Sequence, residues 1–165
     1  TCNLDNSRLN CRINGLSNFS PKIFILDTNL NINLNSNIVK NSKNIDTFIF
    51  YNTASKLKKK SLIKAGVKLI NIEVDINNYL NIYKILKYIK NKGINYLLIE
   101  GGYTLTKNLL EKELFNEFYL FKSSLKLSNK GKNNISSIIN KLNNQYKNKT
   151  KINTFLDKDI LINYR

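Results

Sequence analysis

The sequence predicts an α/β fold: a mostly parallel central sheet flanked by helices, with an antiparallel pair of strands at the C-terminal end. Three observations carry this. Continuous apolar runs of strand length alternate with longer stretches whose apolar residues recur every three or four positions. Glycines stand where the helical stretches stop. After Leu114 the alternation ceases, and two strand-like segments follow without a strong helix between them. Repeated strand–helix–strand units imply parallel strands with right-handed crossovers, whereas the closing pair suggests an antiparallel edge.

The elements follow in chain order. Residues 22–27 (Lys-Ile-Phe-Ile-Leu-Asp) and 46–51 (Asp-Thr-Phe-Ile-Phe-Tyr) have the pattern of strands buried on both faces. Between them, residues 28–44 are rich in Asn and Ser and predict a loop. Residues 55–65 predict a helix stopped by Gly66, and 67–74 a strand. Residues 78–91 place Tyr79, Ile82, Tyr83, Leu86 and Ile89 on one stripe, with Lys84, Lys87 and Lys90 opposite, and Gly93 ends that helix. Residues 94–100 form the strongest strand pattern in the chain. Gly101-Gly102 follow, then a helix over 104–114 with Leu105, Leu109, Leu110 and Leu114 as its apolar stripe. Segments 117–125 and 155–164 predict strands. The polar stretch 128–151 predicts at most one helix, near 135–142.

At 165 residues with 42% apolar content, the chain is expected to form one domain over 1–165, with neither repeat nor internal boundary. It contains no histidine, which excludes Ser-His-Asp and Cys-His nucleophile systems, His-ligated zinc and imidazole acid/base chemistry within this chain. It also lacks Met and opens at Thr1, so it is expected to be processed or part of a longer protein. The net charge of +16 is the usual footprint of a nucleic-acid binder. Yet 24 of the 27 basic residues are Lys and only three Arg, alongside 30 Asn and 22 Ile against two Ala. That composition follows AT-rich codons, and it lacks the planar Arg fork that base and phosphate recognition favours. No specific nucleic-acid partner is expected. Cys2 and Cys11 have no metal-ligand spacing, and no apolar run approaches the roughly 18 residues of a membrane span. A cytoplasmic protein with no membrane partner is expected.

Ligands of open parallel sheets bind beyond the carboxyl ends of the strands. That directs attention to Asp27-Thr28, to Asn52-Thr53 and, above all, to Glu100-Gly101-Gly102-Tyr103-Thr104. Two glycines let backbone approach a ligand, and the following helix N-terminus offers free N–H groups to a phosphate, with Thr104 and Thr106 adding hydroxyls. The same sequence also suits a tight turn with a Thr cap. Glu100, ending an apolar strand, would either grip a polar substrate or cap the glycine turn. Arg12, one of three arginines, would bind a phosphate or carboxylate, or is a surface arginine that escaped the codon bias.

Together these motifs resemble the reductase domain of the bifunctional riboflavin-biosynthesis deaminase/reductase, which has a dihydrofolate-reductase-like fold. Thr1, Asp5, Leu9 and Arg12 stand at the spacing of the family's Thr-x-x-x-Asp-Asp-Pro-x-Leu-x-x-Arg pattern, with Asn6 and Ser7 replacing its second Asp and Pro. Leu26-Asp27-Thr28 is similar to its strand ending in Asp-Ser. Gly93-Ile94 through Glu100-Gly101-Gly102-Tyr103-Thr104-Leu105 matches its Gly-Ile and Glu-Gly-Gly signature. Residues 110–127 are similar to the helix, strand and turn that follow, although Ser123-Ser124 stand where a Pro is usual. In the family a first strand and a zinc deaminase domain precede the stretch that matches Thr1, so a piece of a longer protein is expected.

The resemblance implies an NADPH-dependent reductase that transfers hydride to the ribose C1′ of 5-amino-6-(5-phosphoribosylamino)uracil, giving the ribitylamino product. It implies NADPH contacts from Thr1, Asp5, Thr28 and the turn formed by Gly102, Tyr103, Thr104, Leu105, Thr106, Lys107 and Asn108. Leu9, Arg12 and Glu100 would contact the phosphoribosylamino-pyrimidine, with Arg12 on its phosphate and Glu100 the candidate for steering the proton on the amine. No metal is implied. A homo-oligomer, fused or not to a deaminase domain, is the expected assembly. Two alternatives stand beside it: a dihydrofolate-reductase-like NADPH enzyme with another substrate, and a basic nucleic-acid-binding domain. A remnant that binds NADPH without turnover is a further variant.

Overall fold

Residues 22–27 do form a strand, β1 (Ile23–Leu26), and the 46–51 run forms β2 (Thr47–Tyr51). The computed structural model describes residues 2–125, 134–154 and 158–165. The chain divides into two compact units, Thr1–Leu98 and Ile99–Arg165. Each is built differently.

In the first unit, β1, β2 and β3 (Lys68–Asn71) make a parallel sheet in that order, with Phe24 opposite Phe48 and Phe48 opposite Lys68. Central β2 is buried on both faces, which is why its run is continuously apolar. On one face Ile23, Ile25 and Ile49 pack with Leu62 of α3 (Lys56–Lys64) and with Ile38 and Val39 of the short α2 (Asn37–Lys40). On the other, Phe50 packs with Ile85 and Ile89 of α4 (Ile82–Asn91), and Phe24 stacks on Phe48 at 5.0 Å. The unit opens with a one-turn helix, α1 (Cys2–Asp5).

Local chemistry sets these boundaries. The Ser55 hydroxyl caps α3 by accepting from the Lys58 N–H, and Gly66 follows the helix at φ +103, where a Cβ would also stand 3.0 Å from the Ser42 carbonyl oxygen. Asp46, just before β2, pairs with Lys68 at 2.5 Å across the sheet; that hydrogen bond holds its carboxyl below the usual carboxylate range. α4 starts at Ile82 rather than 78 because the Asp75 carboxylate accepts from Asn77 and Tyr79 N–H and closes a turn first. Its buried stripe is Ile82, Ile85 and Ile89, while Tyr79 and Tyr83 are exposed. α2 interrupts the stretch expected as loop, capped by Ser36.

One expectation is corrected. Residues 94–100 are not a strand, for no described strand pairs with them. An apolar run supplies strand propensity, but the strand exists only once a neighbour satisfies its backbone groups. Here Tyr96 and Leu98 are 96% and 81% exposed.

The second unit comprises α5 (Tyr103–Glu111), β4 (Phe118–Lys122), α6 (Ser136–Gln145), β5 (Lys149–Ile152) and β6 (Ile160–Tyr164). Its antiparallel sheet runs β4-β6-β5, with Phe118 and Lys149 both opposite Tyr164. The expected C-terminal pair is therefore three strands. β5, Lys-Thr-Lys-Ile, is too polar to show as a strand and is held by its ladder to β6. Leu110, Ile138, Leu142 and Tyr164 form the core. Of the segments expected at 117–125 and 155–164, residues 155–157 lie outside the described residues, as do positions 126 and 127 of the expected turn. Among the described residues no helix is long and apolar enough to cross a membrane.

Candidate functional site

In the first unit the site grows out of the turn after β1. Asp27 ends that strand, and its carboxylate is occupied locally: Oδ1 accepts from Asn31 N–H at 2.9 Å and Oδ2 from Ile32 N–H at 2.7 Å. Half-buried Thr28 follows, and its carbonyl accepts from Asn52 and Thr53 N–H beyond β2, at 2.9 and 3.1 Å. The carboxyl ends of two adjacent parallel strands are tied together there, at the edge where such sheets take ligands.

Beside this loop lies the N-terminal segment. Asn3 Nδ2 donates to the Asn31 carbonyl at 3.0 Å, and Asn3 Oδ1 accepts from Asn33 N–H at 2.9 Å. Asn6 Oδ1 accepts from Asn37 N–H, and the Asn6 carbonyl accepts from Asn37 Nδ2, both at 2.9 Å. Between them Asp5 is exposed, and its carboxylate makes no hydrogen bond or ion pair with the described residues. Leu9 adopts φ +51 and packs partly buried against the Ile23–Ile25–Ile49 core. Arg12 is exposed, just after Cys11, whose N–H donates to the Ser20 hydroxyl at 3.2 Å. Thr1 lies outside the described residues. Asp5, Leu9 and Thr28 thus share one unit, with Asp5 and Thr28 on segments hydrogen-bonded to one loop.

In the second unit the site is the first turn of α5. Gly102 is its N-cap, at φ −75 and ψ 180, and no side chain caps the helix. The N–H groups of Tyr103, Thr104 and Leu105, which have no intrahelical acceptor by the geometry of any α-helix, are left for a ligand. Such a terminus carries partial positive charge, worth about 0.3–1 kcal/mol to an exposed anion. Thr104 is exposed at its rim, whereas Tyr103 turns toward the core of this unit. Leu105 lies against Gly101, and Lys107 pairs loosely with Glu111 along the helix at 3.8 Å. Thr106 and Asn108 are half-buried. Glu100 precedes this turn and is exposed, not at the end of a strand as the sequence suggested, because residues 94–100 form no ladder.

Sequence reasoning missed Asn3 and Asn6. With 30 Asn in the chain, two more in a polar segment give no signal. Only the offset of three residues, matched to a facing Asn-rich loop, could have hinted at them.

Comparison with known proteins gives two findings. The family model described as RibD C-terminal domain matches residues 1–152, which takes in most of both units. The solved structure of a pyrimidine reductase-like protein from Corynebacterium diphtheriae is similar over 100% of this chain and 72% of its own, with a TM-score of 0.72 at 14% identity. Likeness at that identity shows the fold, and it agrees with the α/β, dihydrofolate-reductase-like architecture expected from the sequence. No curated protein matches the chain.

Proposed function

The chain belongs to the RibD C-terminal domain family, of riboflavin-pathway reductases, and from that premise we propose that it reduces 5-amino-6-(5-phosphoribosylamino)uracil with NADPH. The ribose C1′ receives the hydride and the product is the ribitylamino pyrimidine. The observation that carries this reading is the first turn of α5: a family Glu-Gly-Gly motif leading into a helix whose N-terminal N–H groups have no side-chain cap. That donor set fits the phosphates of a dinucleotide, since it offers N–H groups and a partial positive charge with no competing carboxylate in the first turn.

NADPH supplies the hydride when bound. This chain binds and orients. Residues 102–108 hold cofactor phosphates through the helix terminus and the Thr104 hydroxyl. Asp5, whose carboxylate is unengaged among the described residues, and Thr28, at the strand end, hold the remainder, together with Thr1. Arg12 takes the substrate phosphate, Leu9 supports the segment that presents it, and Glu100 holds the pyrimidine side and steers the proton on its amine nitrogen. A chain without histidine suits such a reaction, in which positioning and electrostatics are the protein's share. Residues 1–165 acting as one reductase domain, a homo-oligomeric state, a cytoplasmic location and an upstream deaminase domain belong to the same proposal.

The test is NADPH absorbance on addition of the pyrimidine to the protein. Substrate-dependent oxidation supports the reading; NADPH binding with no oxidation would leave a cofactor-binding remnant, and oxidation only with another carbonyl or imine substrate would make it a different reductase of the same fold.

A further inference from the structure

α1 is a single turn, and among its described side chains nothing apolar holds it. A helix this short is not stable alone, and Leu4, its one large aliphatic residue in the described set, is 84% exposed. What fastens it to the protein is polar. Asn3 and Asn6 flank Asp5, and each makes two hydrogen bonds to the 31–37 loop, between 2.9 and 3.0 Å. That loop is itself fixed at its other end by the Asp27 carboxylate through Asn31 and Ile32, and by Lys58 Nζ on the Ile32 carbonyl. The residue after Asp27 is Thr28. From Asn3 the hydrogen bonds therefore continue through Asn31 to the Asp27 carboxylate, next to Thr28, and from Asn6 they reach Asn37 at the far end of the same loop.

We propose that Asn3 and Asn6 are positioning residues for NADPH: they fix the exposed carboxylate of Asp5 relative to Thr28, so that the two groups meet the cofactor without reordering the segment. The inference rests on the reading of Asp5 and Thr28 as cofactor contacts. The physical reason is that a one-turn helix tethered only by hydrogen bonds becomes mobile when they are lost, and ordering it again on binding costs affinity. Two lost hydrogen bonds of ordinary strength correspond to about a tenfold change. Asn6 has φ +44, a conformation that Asn and Gly tolerate, so its backbone and side-chain roles can be separated.

The experiment titrates NADPH against the whole chain and three variants, with kcat and the two KM values measured in parallel. Asn3→Ala, which loses two hydrogen bonds, raises the NADPH Kd about tenfold, and Asn6→Gly, which loses one, about fourfold; both leave the pyrimidine KM within about twofold and kcat at saturating NADPH near that of the parent. Asn6→Gly keeps the left-handed backbone and removes only the side-chain acceptor. Asn6→Asp keeps an acceptor for the Asn37 N–H and restores the parent affinity. Parent and variants binding NADPH equally would overturn the positioning role and leave the cofactor reading intact. Equal losses in all three variants, with kcat falling in step, would make the segment structural and also overturn it. If the parent chain binds no NADPH, the reading of the site fails first and this inference with it.

Discussion

Leu105 folds back over Gly101: a Cβ at position 101 would stand 3.1 Å from Leu105 Cδ2 and 3.2 Å from Leu105 Cβ. Real Cβ atoms are rarely found that close, so the glycine leaves room for the first turn of α5 to close on the chain leading into it. The backbone there is not left-handed, and the requirement at Gly101 is steric.

Gly101→Ala is expected to push Leu105 outward and shift the α5 N–H groups. Overpacking of this kind costs about 1–3 kcal/mol where neighbours cannot move, and the low end applies because Leu105 is only half-buried. Urea unfolding reads the stability change, and NADPH titration reads a weakening larger than that change alone explains. Leu105→Ala in the same background relieves the clash, so the double variant should recover part of the affinity. No coupling between the two positions would show that the packing does not set the turn.

Tyr146 gives a pH dependence with a defined sign. Its hydroxyl donates to the Phe115 carbonyl at 3.0 Å; burial, and secondarily the Glu113 carboxylate, raise its pKa above the ordinary tyrosine value. A group with a raised folded pKa contributes stability that is complete below the unfolded pKa, near 10, and lost as pH rises through the folded value. The parent should therefore lose stability in alkaline solution more steeply than Tyr146→Phe, while the variant loses about 1 kcal/mol at neutral pH from the missing hydrogen bond. Melting temperatures followed across the alkaline range check both effects; parallel curves would contradict the assignment.

The charge of +16 makes a separate prediction. If it reflects composition, binding to DNA or RNA is indifferent to sequence and falls away steeply with salt, leaving no saturable binding at about 0.15 M. Fluorescence anisotropy with two unrelated oligonucleotides measures this. Tight, sequence-dependent binding at that salt would favour a nucleic-acid-binding domain.

How much of this was legible in the sequence depended on whether side chains or neighbours decide an element. β1 and β2 showed because a strand buried on both faces must be apolar throughout, and α3 because Ser55 and Gly66 mark its two ends. Residues 94–100 misled for the converse reason: their apolar run is strand-like, but no described strand pairs with them. β5 was invisible, since Lys149 to Ile152 are held by backbone pairing with β6 and carry no apolar pattern. At the site, the Gly101-Gly102 turn into α5 was readable because paired glycines stand between an apolar run and the apolar stripe of a helix. The pairing of Asn6 with Asn37 was not, because asparagine is everywhere in this chain and only the tertiary structure selects which ones meet.

The most direct test follows the hydride itself. NADPH carrying deuterium at the transferred position of its nicotinamide is incubated with the protein and 5-amino-6-(5-phosphoribosylamino)uracil, and the product is analysed by mass spectrometry and NMR. The account predicts a ribitylamino product with one deuterium at C1′, formed in step with NADPH oxidation. An unlabelled or unreduced pyrimidine, recovered from protein shown to bind NADPH, would contradict it.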